Sequence, residues 1–124
     1  KTRFLLTRSN IIQEEPKLQP EFRKILQKAK DLTKKNKSNL YFIYLPSYNR
    51  YQANYEGYDF NYSSVKKIVE ELDIIFIDIL NEVFEKEDEP LSLFPIKPNS
   101  HYNSKSYKRI AETIIKHSRN YDDQ

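Results

Sequence analysis

His101 is the residue of this chain best placed to do chemistry. It stands in the segment Phe94-Pro95-Ile96-Lys97-Pro98-Asn99-Ser100-His101-Tyr102-Asn103, which runs into an amphipathic helix read over Ser104–Lys116. A histidine held in a loop ahead of a helix can serve as a general base, because the imidazole changes protonation near neutral pH and a loop leaves it reachable. It can equally be a capping or surface residue. Two residues offer to orient it. Asp78 closes an apolar run and would hold the imidazole and stabilise its charged form; its structural alternative is to bond nearby backbone amides. Asn99 lies two residues before His101 and could orient it through a neutral hydrogen bond, without a negative charge. His117 falls on the last turn of the same helix, where a surface histidine complements the helix dipole.

The second chemical cluster is the connection Pro46–Tyr62. It carries Tyr48, Tyr51, Tyr55, Tyr58 and Tyr62, with Asn49 and Arg50. Connections this long are often lids or binding loops. Tyrosines stack on sugar rings or cover an apolar ligand, and Arg50 could hold an anion; the plainer alternative is that the rings pack the loop onto the domain. Tyr48, Arg50, Tyr51 and Tyr102 are the candidate substrate contacts. No metal site is expected: His101 and His117 are sixteen residues apart, and no carboxylates near them have ligand spacing. No cofactor is expected either. Gly57 is the single glycine, and phosphate-cradling loops need several for the backbone to approach the anion.

The elements that must position these residues follow from spacing. Residues 20–36 read as a helix: Pro20 suits its first turn, Phe22, Ile25, Leu26, Ala29 and Thr33 recur at helical intervals, and Lys34, Lys35 and Lys37 complement its carboxyl end. Leu40–Leu45 is a continuous apolar and aromatic run stopped by Pro46, which suits a strand covered on both faces. Residues 63–72 read as a helix with Ser63 or Ser64 as cap. Ile74–Ile77 is a second buried strand ending at Asp78; Ile79–Phe84 fits a short helix, and Glu85–Pro90 an acidic surface segment. Asn103 can cap the last helix, whose apolar face is Tyr107, Ile110, Ala111, Ile114 and Ile115.

The order is α-β-α-β-α, an α/β class with parallel strands joined by a right-handed crossover. Such sheets bind ligands outside the carboxyl ends of their strands, and the Pro46–Tyr62 connection, Asp78 and the Leu91–Asn103 loop all arrive there. Two strands make a poor sheet, so further strands are expected, upstream in a longer chain or on a partner. With 124 residues the chain is read as one domain. The apolar content is 38% and the mean hydropathy −0.83, but the apolar residues cluster, which argues against disorder. The net charge of +3 comes from 21 basic and 18 acidic residues mixed along the helices, without the dense basic stripe of a nucleic-acid binder. Cysteine is absent, which excludes disulfides, thiolate zinc sites and cysteine nucleophiles. No apolar run reaches membrane-spanning length. Arg8 splits Phe4-Leu5-Leu6 from Ile11-Ile12, so no secretory signal is read. The chain begins with Lys1 rather than Met, which fits a processed, excised or truncated product.

Leu40–Tyr48, Ile77-Asp78-Ile79, Phe94-Pro95, His101-Tyr102-Asn103 and Tyr107–Glu112 together resemble the C-terminal half of an SGNH/GDSL hydrolase. The likeness covers about residues 20–117, and its most specific part is the histidine block with the helix after it. It implies a three-layer, flavodoxin-like α/β/α sandwich, of which residues 20–118 would be the C-terminal part. Residues 1–19 would then be an extension or the connection to a missing upstream half, and 119–124 a polar tail. It implies serine ester hydrolase or O-acyltransferase chemistry on an ester or acylated carbohydrate, with His101 as general base. In such enzymes a serine attacks the acyl carbonyl, and a backbone amide, a glycine and an asparagine stabilise the oxyanion. Relatives often act on cell-envelope sugars outside the cytoplasm. The Gly-Asp-Ser and Gly-x-Asn-Asp blocks are missing, and they belong to the N-terminal half of that fold, so truncation explains both. Pro98 stands where many relatives have an aspartate, which leaves the acid to Asp78, to Asn99 or to a dyad without one. Ser106 replaces the usual glycine before Tyr107. Ser47 follows a strand but lacks the flanking glycine of a nucleophile elbow. The segment alone is expected to be inactive. The contrasting expectation is a non-catalytic α/β binding module that holds a glycan or protein partner with its tyrosine-rich loop.

Overall fold

The computed structural model describes residues 18–52, 59–95 and 101–122. Three main helices and a two-stranded parallel sheet follow one another in the order α-β-α-β-α: α1 (Pro20–Lys35), β1 (Tyr41–Tyr44), α2 (Asp59–Glu71), β2 (Ile75–Asp78) and α3 (Ser104–Asp122). Short helical turns at Tyr48–Tyr51, Leu80–Phe84 and Pro90–Leu93 fill the connections. Tyr41 stands opposite Ile75 and Tyr44 opposite Asp78, so both strands end at the same level.

Strand alternation divides the chain into two apolar clusters. On one face Phe42 and Phe76 stack at 5.8 Å and meet Val65, Val69 and Leu72 of α2 with Phe22 and Leu26 of α1. Arg23 reaches Glu71 at 2.5 Å, and Lys30 donates to the Leu72 carbonyl, so α1 lies beside α2 and closes its last turn. On the other face Ile77, with Ile79, Leu80, Val83 and Phe84, packs against Leu93, Phe94 and Ile110 of α3.

Three elements differ from the sequence expectation. β1 is not covered on both faces: Ile43 is 36% and Leu45 46% exposed. α3 packs chiefly on β2 and the turn after it rather than on β1. α2 begins at Asp59, four residues before Ser63, so Ser63 and Ser64 lie inside the helix rather than at its cap. Its first turns are held by Tyr62, whose ring meets Tyr44 edge-on at 4.9 Å, a tertiary contact that periodicity from Val65 does not reveal. α3 runs on to Asp122, and its last turns are docked by His117, half-buried with Nε2 2.7 Å from Glu82 Oε1. His117 is thus a packing partner of the Leu80–Phe84 turn, not a free surface residue.

Both helix-to-strand turns work without glycine. Lys37 (φ 53°) ends α1 and Asp73 (φ 51°) ends α2, each in the left-handed region. Ser38 N–H donates to the Thr33 carbonyl, and Ile74 N–H to that of Val69, the pattern of a Schellman closure. A Cβ at this position costs about 1–2 kcal/mol, and glycine's greater freedom in the unfolded chain returns part of that gain. Lys37→Gly should therefore stabilise the protein by roughly 0.5–1 kcal/mol in urea unfolding; a loss of stability would show that the Lys37 side chain contributes more than its strain.

Candidate functional site

β1 leaves the sheet at Leu45-Pro46-Ser47 and turns at once into the short helix Tyr48–Tyr51. Opposite it, the chain returns at His101. The two residues after His101 fix its backbone. Tyr102 lodges its ring against Phe84 and Phe94, 5.4 and 5.3 Å away, and donates its hydroxyl to the Pro46 carbonyl at 2.5 Å. Burial, with Tyr107 and Tyr44 nearby, pushes the Tyr102 phenol up to about 12, so it stays protonated and keeps donating. Asn103 N–H donates to the Leu93 carbonyl, and its Nδ2 to that of Ser92. Asn103 Oδ1 in turn accepts from the Ser106 N–H at 3.0 Å, which makes Asn103 the cap of α3 as its type predicts.

Ser106 is fully buried. Its hydroxyl touches both the Leu93 carbonyl and Asn103 Oδ1, and its one proton serves one of them at a time. A small residue is needed here because α3 presses against the Pro90–Leu93 turn.

These contacts leave His101 itself exposed, on the wall of an open groove of about 500 Å³. One wall is Leu45, Pro46, Ser47, Tyr48 and Asn49; the other is His101, Tyr102 and Tyr107. The groove lies at the carboxyl end of β1, where ligands of open α/β sheets bind. Of the sequence candidates, His101, Tyr48 and Tyr102 meet there. Asn49 and Tyr107 join them; Tyr107 reads as part of the apolar face of α3, but it is the first residue of that face and stays 50% exposed over the groove. Ser47 has extended backbone (φ −84°, ψ 156°), not the strained strand-to-helix turn of a nucleophile elbow.

The other candidates stand elsewhere. Tyr51 stacks on Phe84 at 6.1 Å and tilts against Phe94, and burial, reinforced by Glu85, pushes its phenol far above the usual range. Arg50 is half-buried in the Tyr48–Tyr51 turn, off the groove wall. Asn99 lies outside the described residues. Asp78 is buried and already bonded: it accepts from Tyr62 at 2.5 Å, from Asn81 Nδ2 at 2.8 Å and from the Asn81 N–H at 3.1 Å, with Lys66 at 3.5 Å. His101 is not among its partners in the described residues. Burial opposes ionisation of Asp78, but these hydrogen bonds and the Lys66 charge outweigh it and hold the carboxyl below its ordinary 3.8. Burial and the same carboxylate push the Tyr62 phenol up. The cluster ties α2 to the end of β2.

Among the described residues no three His, Cys, Asp or Glu gather as a metal site, and no helix is long and apolar enough to cross a membrane. A second hollow, of about 260 Å³, lies at the amino ends of the strands beside Lys30, Asp73 and Leu40. No protein family, curated protein or solved structure matches this chain.

Because the folded-state pKa of Asp78 lies below its unfolded value, its stabilisation is complete above about pH 4 and fades as pH falls through the folded-state pKa. Asp78→Asn turns an amide N–H₂ or its carbonyl toward four donors, so it should cost roughly 1.5–3 kcal/mol at pH 7 and flatten the acid limb of the stability curve. An unchanged acid limb in urea titrations between pH 2 and 6 would remove the carboxylate from the fold's stability.

Proposed function

We propose that this chain is the histidine-bearing C-terminal part of an SGNH-type serine ester hydrolase or O-acyltransferase, acting on an ester or acylated carbohydrate. The observation that carries the reading is the exposed His101 on a groove at the carboxyl end of a parallel strand, with the residues on either side of that groove rigidly tied. The SGNH-like fold, of which two strands and three helices would be the C-terminal share, belongs to the same proposal. It rests on the residue blocks around Leu40–Tyr48 and His101–Glu112.

In the complete enzyme a serine from outside this segment attacks the acyl carbonyl. His101 takes the serine proton, the tetrahedral oxyanion collapses, and the proton passes to the departing alkoxide. Water, or an acceptor hydroxyl in a transferase, then attacks the acyl-enzyme with His101 again removing the proton; the second tetrahedral oxyanion collapses, the bond to the serine oxygen breaks, and His101 returns the proton to that serine. Tyr48, Asn49 and Tyr107 would line the path of the acyl or sugar group. Asp78 is committed to Tyr62 and Asn81, which favours Asn99 or a dyad as the setting of His101.

A binding-module reading keeps one specific support, the exposed Tyr107 ring and the half-buried Tyr48 ring on an open groove of sugar-sized volume. The two are separated by an organophosphonate probe, which reacts covalently with an activated serine. In the complete native protein it should label one serine outside residues 1–124, and His101→Ala should lower both labelling and ester turnover by about a thousand-fold or more. Labelling at Ser47 would move the nucleophile into this chain. Saturable glycan binding that survives His101→Ala, with no labelling anywhere, would replace the hydrolase by the module.

A further inference from the structure

We propose that the outer face of α1 rests on an anionic membrane surface, with its lysines against the lipid headgroups and Ile25 and Leu32 set between them. The chain's net charge is a mild +3, but it is unevenly placed. α1 alone carries six basic and two acidic residues, so it is more positive than the whole chain. Two of the six are engaged within the fold, Arg23 with Glu71 and Lys30 with Asp73. Lys24, Lys28, Lys34 and Lys35 are exposed and form no ion pair with a described residue. Lys24 and Lys28 stand one turn apart, where like charges oppose helix formation. A negative surface beside them turns that repulsion into attraction.

Apolar residues share the lysines' face. Ile25, Lys28, Leu32 and Lys35 follow one another at helical intervals and form one continuous stripe along α1. Arg23 and Lys30, which reach α2, lie across the helix from that stripe, and Phe22 and Leu26 turn toward the sheet. Ile25 and Leu32 are 63% and 61% exposed, and α1 has no buried residue. A basic helix with aliphatic side chains between its lysines lies in the plane of a bilayer interface: the apolar groups enter below the headgroups, and the lysine stems reach back up to them. Two acids share this outer surface. Glu21 opens the helix, where it complements the dipole, and Asp31 accepts from Gln27 at 2.9 Å.

The side-chain types select lipid among anionic partners. Protein interfaces favour arginine and aromatic rings and are poor in lysine; this stripe has lysine and aliphatic groups and no ring. Single-stranded nucleic acid is held by stacking aromatics, and contacts to a duplex backbone make no use of exposed Ile25 and Leu32. Lysine is a point charge on a flexible stem, which suits a layer of headgroups without fixed geometry. The contact is peripheral: α1 lies on the surface while Phe22 and Leu26 keep it packed on the protein. This inference does not rest on the hydrolase reading.

Sedimentation with vesicles tests it, using the purified protein as its source makes it. Vesicles of phosphatidylcholine with about one-third phosphatidylglycerol should bind it about ten-fold or more tightly than phosphatidylcholine alone. Raising the salt from about 0.1 M to about 0.5 M should weaken that binding several-fold. Lys24→Glu with Lys28→Glu should lower it about ten-fold or more. Lys108→Glu with Lys116→Glu, the same charge change at exposed positions of α3, should lower it far less. Ile25→Ser with Leu32→Ser keeps every charge and should lower it about five-fold. Circular dichroism confirms each variant's fold. No preference for the anionic vesicles, or equal losses from the α1 and α3 pairs, would overturn the proposal. Full binding by the serine pair would overturn the seating of Ile25 and Leu32 in lipid. Retention by a DNA duplex, with none by the vesicles, would give the face to nucleic acid instead. None of these measurements reads ester turnover, so the hydrolase reading and this one can fail separately.

Discussion

Parallel pairing of Tyr41–Tyr44 with Ile75–Asp78 is the constraint on which the remaining structure depends. Two parallel strands cannot be joined by a tight turn, so the chain between them must cross over through a helix, and that helix must cover one face of the pair. This sends α2 across the Phe42–Phe76 face and returns both strands with their carboxyl ends at one level. The groove owes its position to that return. A shift of β2 by one residue against β1 would turn Phe76 off the α2 cluster and carry Asp78 away from Tyr62.

Aromatic packing then takes over the work that glycine-rich turns usually do in α/β proteins. Phe84 is the hub: Tyr51, Phe94 and Tyr102 all contact it, and Tyr48 meets Phe94 edge-on at 5.5 Å. These rings come from four separate segments that share no backbone ladder. Edge-on and tilted contacts at these distances stabilise beyond simple burial. They join the end of β1, the turn after β2, the Pro90–Leu93 turn and the histidine block into one body. His101 itself is exposed, but Tyr102 and Asn103 tie down the two residues that immediately follow it.

The elements were legible in the sequence wherever the local pattern and the tertiary environment agree. α1 starts at Pro20 and stops at Lys35 because proline at the first turn and lysines at the last are local signals. Asn103 was legible as a cap for the same reason. The start of α2 was not, because Asp59–Tyr62 lack an apolar stripe and are held by Tyr62 reaching Tyr44 and Asp78. Within the candidate site, His101, Tyr48 and Tyr102 could be named from topology and loop position. The role of Asp78 could not, since a carboxylate at a strand end looks the same whether it faces an imidazole or, as here, a tyrosine of the preceding helix and an asparagine three residues later. Tyr51 and Tyr48 are indistinguishable by type and loop; only the helical turn between them stacks Tyr51 on Phe84, off the groove, and sets Tyr48 edge-on to Phe94 where it also lines the groove.

The continuous apolar run of β1 also carried more information than the described residues use. Such runs belong to strands with neighbours on both sides and helices on both faces, yet Ile43 and Leu45 are open and α1 has no buried residue. An isolated pair of strands is marginal in water, and a third strand is the usual minimum for a sheet with one apolar face. The exposed residues are not scattered, as incidental surface apolar side chains are; they line one edge and one helix flank. Among the described residues, incomplete apolar burial is thus concentrated on the end of one strand and one flank of one helix, and the groove that holds His101 opens beside that strand end.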